Sequence, residues 1–202
     1  MMDMQTGIGL PMKTVVQLGV PVFHGDREIT EIEVTEPTLE AMLVTDDFGE
    51  DGIDFGVFTL VACTEYPPSV IDQLDEDDFK ALHQALSEMR AGPHPSKGRF
   101  DNVVELAVPV ATNEQLITEV TVRPMDIGIM RKADKIKGAI RKSMMVMTVC
   151  IGLPEAVVRR LHARDVAAIG DAMERVRLER RRKTGSRPLA GSPGTSTGPP
   201  QR

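Results

Sequence analysis

The densest group of side chains able to do chemistry is "LDEDDF", Leu74 to Phe79, with four acids in a row. Such a run could hold a divalent cation. It could also open a helix, with Asp75 as the N-cap and Asp78 three residues on, as in a capping box. Acids suit the positive end of a helix dipole. A second stretch, "LHARDV", keeps only Asp165 of those acids. A metal site written twice would have lost its ligands there, so the capping reading is preferred. The four histidines, His24, His83, His94 and His162, form no pair at metal-ligand spacing, and neither CxxC nor HExxH occurs. His24 falls in a turn, His94 in a connecting segment, and His162 at a helix start, where its ring is placed to cap.

Cys63 and Cys150 each sit in an apolar stretch with no basic neighbour to make a nucleophile, and they read as small core residues. "GIG", Gly7 to Gly9, lacks the third glycine and the preceding strand of a dinucleotide fingerprint. No phosphate-binding loop and no nucleophile elbow is present. The residues therefore predict no catalytic set, no metal and no cofactor. The remaining dense cluster is basic: "RVRLERRRK", with Arg175, Arg177, Arg180, Arg181, Arg182 and Lys183. It could meet nucleic acid or an acidic partner. It could equally be a solvated helix end, and no aromatic residue is interleaved to stack on bases.

The elements that must position these residues are written twice. "TVVQLGVPVFH" (Thr14 to His24) resembles "NVVELAVPVAT" (Asn102 to Thr112). Val20-Pro21-Val22 and Ile29-Thr30-Glu31 recur 88 places on. From Pro37 and Pro124 the offset is 87, and it carries Cys63 to Cys150, Pro67 to Pro154, Leu74 to Leu161 and Asp78 to Asp165. One register held this long reads as a tandem duplication. Each copy alternates apolar and polar residues on either side of a turn, which predicts a β-hairpin. Pro37 and Pro124 are expected near the first position of a short helix. A middle helix, a one-turn helix and a closing helix follow. In the closing helix Phe79, Leu82, Leu86 and Met89 recur at three- and four-residue spacing.

The predicted fold is α+β, two tandem copies of a β-hairpin followed by a small helical bundle. The expected divisions are an N-terminal extension (1–12), a first unit (13–90), a Pro- and Gly-rich linker (91–100), a second unit (101–183) and a disordered tail (184–202), whose Gly, Pro, Ser and Thr have little to bury. The 202 residues are 41% hydrophobic but only 3% aromatic, so the core is aliphatic, with 12 Met and no Trp. Small aliphatic units are marginally stable, and a partner that completes the core is expected. The N-terminus carries no secretory pattern. The most apolar run, Met144 to Leu153, falls far short of the ~20 residues that cross a membrane. Residues 1–100 carry 19 acids and 6 bases, and residues 101–202 carry 11 acids and 18 bases. Opposite halves of this kind are suited to meet, within a chain or between chains.

Hairpin, proline exit, middle helix and closing helix together resemble the Mu-like and P2-like phage tail assembly chaperone families. The resemblance rests on "ITEIEVTEPTLEAM" with "YPPSVIDQLDEDDFKAL", and on "ITEVTVRPMDIG" with "CIGLPEAVVRRLHARDVAAIGDAM". Known members usually carry one such unit, and the doubling is this chain's departure. The resemblance implies binding of the tape-measure protein, help to tail-tube subunits, no enzyme activity and no cofactor. It also implies residence in the host cytoplasm and absence from the mature virion. Candidate contact residues on the closing helices are Leu82, Leu86, Met89, Ile169, Met173 and Val176, although most of them are expected to be used within each unit's own core. Homo-oligomers are a further expectation from the charge split. The alternative is a nucleic-acid-associated regulator acting through the basic C-terminal helix.

Overall fold

The structure, a computed structural model, describes residues 9–48, 52–96, 102–113 and 115–185. It is α+β, with two two-stranded antiparallel sheets and eight α-helices among the described residues. In the first half β1 (Lys13–His24) pairs with β2 (Arg27–Thr35) through a two-residue turn, where Gly25 takes φ +63°. There follow α1 (Leu39–Met42), a 3-10 turn (Leu43–Asp47), α2 (Ile53–Cys63), α3 (Pro68–Ile71) and α4 (Glu76–Ala91). The second half runs β3 (Val103–Ala111), β4 (Leu116–Thr121), α5 (Ile127–Ala133), α6 (Ala139–Met147), a π turn (Thr148–Gly152), α7 (Glu155–Val158) and α8 (Ala163–Gly185).

Both hairpins carry the same irregularity. Pairing passes from Gln17↔Glu31 to Val22↔Ile29, so β1 advances five residues while β2 advances two. β3 and β4 do likewise between Glu105↔Glu119 and Val110↔Ile117. Pro21 and Pro109, which have no N–H to give a ladder, lie inside these bulges. The freed amides are taken by the closing helices. Asp78 on α4 accepts from Gly19 N (2.9 Å) and Val20 N (3.2 Å). Asp165 on α8 accepts from Ala107 N (2.6 Å) and Val108 N (3.3 Å).

This revises the capping box. Asp75 does cap α4, accepting from Asp78 N at 2.8 Å. The Asp78 carboxylate instead reaches out to the strand. The prolines also sit earlier than expected. Thr38 caps α1 and Asp126 caps α5, so Pro37 and Pro124 precede the caps and do not open the helices. His162 does not cap with its ring, whose Nδ1 lies 3.2 Å from the Glu36 carbonyl oxygen.

Two apolar cores result. The first gathers Val16, Ile32, Val34, Leu60, Cys63, Ile71, Leu82 and Met89 from the first half. The second gathers Val104, Val122, Met147, Val158, Leu161 and Ile169, and also takes Leu39 from the first half. Cys63 and Cys150 are both buried and unbonded. From Gly52 to Cys63 is 11 residues, and from Gly138 to Cys150 is 12. The longer of the two segments ends in the π turn. The connecting segment is less loose than its composition suggests. His94 Nδ1 accepts from Ser96 N, so Nε2 carries the proton and donates to Asp165 Oδ1 at 3.0 Å. Ser96 Oγ accepts from Glu105 N at 2.7 Å. The expected N-terminal extension is likewise tied in at its end, since Gly9 N donates to Ala107 O and Met12 is buried in the first core. Residues 97–101 and 186–202, and with them most of the expected disordered tail, lie outside the described residues.

Candidate partner-binding surface

The halves meet along a join that the first half supplies with acids and the second with bases. Glu36, 2% exposed, sits against α8. Its carboxylate accepts from Arg164 N (2.9 Å), pairs with Arg164 Nε (3.1 Å) and accepts from Met12 N (3.1 Å). Arg164 Nη2 reaches on to the Leu10 carbonyl. Backbone bonds run beside this pair: Ala163 N to Pro37 O, Leu39 N to Leu161 O, and Glu40 N to Arg159 O. A charge pair taken out of water this way needs further partners, and backbone groups supply several: two amides to the carboxylate and the Leu10 carbonyl to the guanidinium.

A second tie starts α6. Its N-cap is Gly138, which has no side chain to satisfy the first amides. Asp46, from the first-half 3-10 turn, does so from outside, accepting from Ile140 N and Arg141 N at 2.8 Å each. Gly138 takes φ +90°, and a Cβ there would lie 2.4 Å from Asp46 Oδ2, so only glycine allows the approach.

Beside this tie is a groove of about 510 Å³ lined by Leu43, Ile136, Met144, Met145, Thr148 and Val149, with Arg141, Glu155 and Arg159 also contributing. Its walls come from the first-half turn, α6 with the π turn, and α7. Five of the nine lining residues are apolar (Leu43, Ile136, Met144, Met145 and Val149), so it is able to accept an apolar side chain or helix face. Among the described residues, no group of three or more His, Cys, Asp or Glu could hold a metal ion, and no helix is long and apolar enough to cross a membrane.

The contact residues expected from sequence are divided by the structure. Leu82 (0%), Met89 (2%) and Ile169 (0%) are enclosed in the two cores. Helical spacing marks an apolar face without saying whether the chain itself covers it, and here the hairpins do. Leu86, Met173 and Val176 are half-buried. Of the basic run, Arg175 is half-buried, Arg177 is exposed and paired with Glu174, and Arg180 and Arg182 are exposed. Arg181 and Lys183 lie in α8, and their side chains lie outside the described ones. Sequence reasoning missed Glu36, Asp46 and the groove. The available signal was a helix opening on Gly138 with no capping side chain of its own.

Residues 15–90 match the family model of phage tail assembly chaperone proteins, E, or 41 or 14. The tail-assembly match begins in β1 and ends in α4, and so takes in one complete series from hairpin to closing helix. It covers under half of the chain and supports a role in tail assembly. No curated protein and no solved structure matches the chain.

Proposed function

We propose that this chain is a non-enzymatic tail assembly chaperone, built as two copies of one binding unit, that holds the tape-measure protein soluble before the tail tube closes around it. The observation that carries the reading is the family match over residues 15–90. Its span, one hairpin-to-closing-helix series, supports the two-copy reading, as do the paired bulges held by Asp78 and Asp165. The groove between the first-half turn and α6 is the proposed seat for an apolar helix of the tape-measure protein. Methionine suits that work because its unbranched side chain adapts to varied surfaces. The tail-tube protein is the second proposed partner, and the host cytoplasm the proposed place of action.

The test is co-expression with the tape-measure protein. It should become soluble and co-purify, and Met145→Glu with Val149→Glu should abolish co-purification while leaving the melting temperature of the chaperone nearly unchanged. Equal solubility of the tape-measure protein with and without this chain would sink the reading. Salt-sensitive nucleic-acid binding through residues 175–183, found in that same case, would transfer the role to the basic end of α8.

A further inference from the structure

The internal join is one-sided, and it leaves two complementary surfaces open. On the giving side are Glu36, before the proline, and Leu39, the first residue of α1. On the receiving side are Arg159, Leu161 and Arg164. Each has a positional counterpart in the other half. Arg123 precedes Pro124 as Glu36 precedes Pro37, and Ile127 follows the N-cap of α5 as Leu39 follows that of α1, an offset of 88 by place in the helix. Asp72, Leu74 and Asp77 stand 87 places before Arg159, Leu161 and Arg164.

These counterparts do not meet within the chain. Leu39 is 5% exposed, whereas Ile127 is 66% exposed and Met130 beside it 46%. Leu161 is wholly enclosed, whereas Leu74 is only half-buried. Arg123, Asp72 and Asp77 are exposed. The charges are reversed together: the giving side changes from Glu36 to Arg123, and the receiving side from Arg159 and Arg164 to Asp72 and Asp77. The open surfaces therefore remain complementary to each other. Each would repel the wrong half of the internal join, since Arg123 would face arginines and Glu36 would face aspartates.

We propose that the occupant of these surfaces is a second copy of this chain, joined head to tail. Arg123, Ile127 and Met130 of one copy seat on Asp72, Leu74 and Asp77 of the next. In the internal join the Pro37 carbonyl accepts from Ala163 N, and Pro124 holds the matching place in the sequence of the second half. The contact is heterologous, so it propagates into a ring or an open helical row. It is salt-sensitive because its charges lie at the surface. The proposal rests on the two-copy reading above and does not depend on any tail protein.

Sedimentation of the isolated full-length chain over a concentration series tests it, separately from the co-expression experiment. The mass should rise in steps of one chain and fall back as salt is added. Asp77→Arg and Arg123→Asp should each weaken association by about tenfold or more, and the two together should restore it. Ile127→Asp should leave monomers with an unaltered melting temperature. A monomer at every concentration overturns the proposal. So does association that Ile127→Asp leaves untouched, or a charge-swapped pair that fails to recover.

Discussion

Asp78 and Asp165 each do for a strand what another strand would ordinarily do. Buried acceptors of this kind are costly to remove, because the amides left behind have lost water as well. Asp165→Ala should cost about 2–4 kcal/mol, since two amides and the His94 imidazole lose their acceptor. Asp78→Ala, at a less enclosed site, should cost about 1–3 kcal/mol. Denaturant midpoints measure both, and the reverse ranking would contradict the account. The sequence made both aspartates visible through their shared register, but assigned them to a helix cap. A cap is local and can be read from spacing, whereas the strand bulge is 57 to 59 residues away. The two cysteines were read as core residues, and they are. Burial pushes the Cys63 thiol up to about 12 and the Cys150 thiol upward as well, with Asp126 adding to the latter. Neither should react with iodoacetamide at neutral pH until denaturant is added. Rapid labelling of the native chain would mean the cores open readily.

At the scale of elements, the hairpins and closing helices were legible because their evidence is periodic and local. Alternation marks a strand, and three- and four-residue spacing marks a helix. The join was not legible. Glu36 and Arg164 are 128 residues apart, and Asp46 and Ile140 are 94 apart. Nothing in a single periodic stretch announces either pair. Two substitutions weigh these ties. Glu36→Ala strands a buried guanidinium and should cost about 3–5 kcal/mol, while Glu36→Met combined with Arg164→Leu should cost less than either single change. A double-mutant cycle on urea unfolding reads the difference. Gly138→Ala forces a side chain into Asp46 at a positive φ, and should cost about 1–3 kcal/mol. An unchanged midpoint would show that Asp46 is dispensable to α6.

At the scale of the whole molecule, the second core takes Leu39 from the first half, so the halves are not independent bodies. Expressed alone, residues 102–185 would lack Leu39 and the Asp46 cap. They should be poorly soluble, and a peptide of residues 34–48 added in trans should raise their melting temperature. A second half that is equally stable without that peptide would argue against a shared core. The lodging of Leu39 in the second core also imposes an order in time. The ribosome releases α1 long before Leu161 or Ile169 exists. At roughly ten residues per second, the intervening chain takes on the order of ten seconds to emerge. Throughout that interval the first half can complete its own hairpin and bundle, but α1 and the acids around it have no seat. The nascent protein therefore presents, for seconds, an apolar and acidic arm whose receiver, the second half of its own chain, has yet to be made.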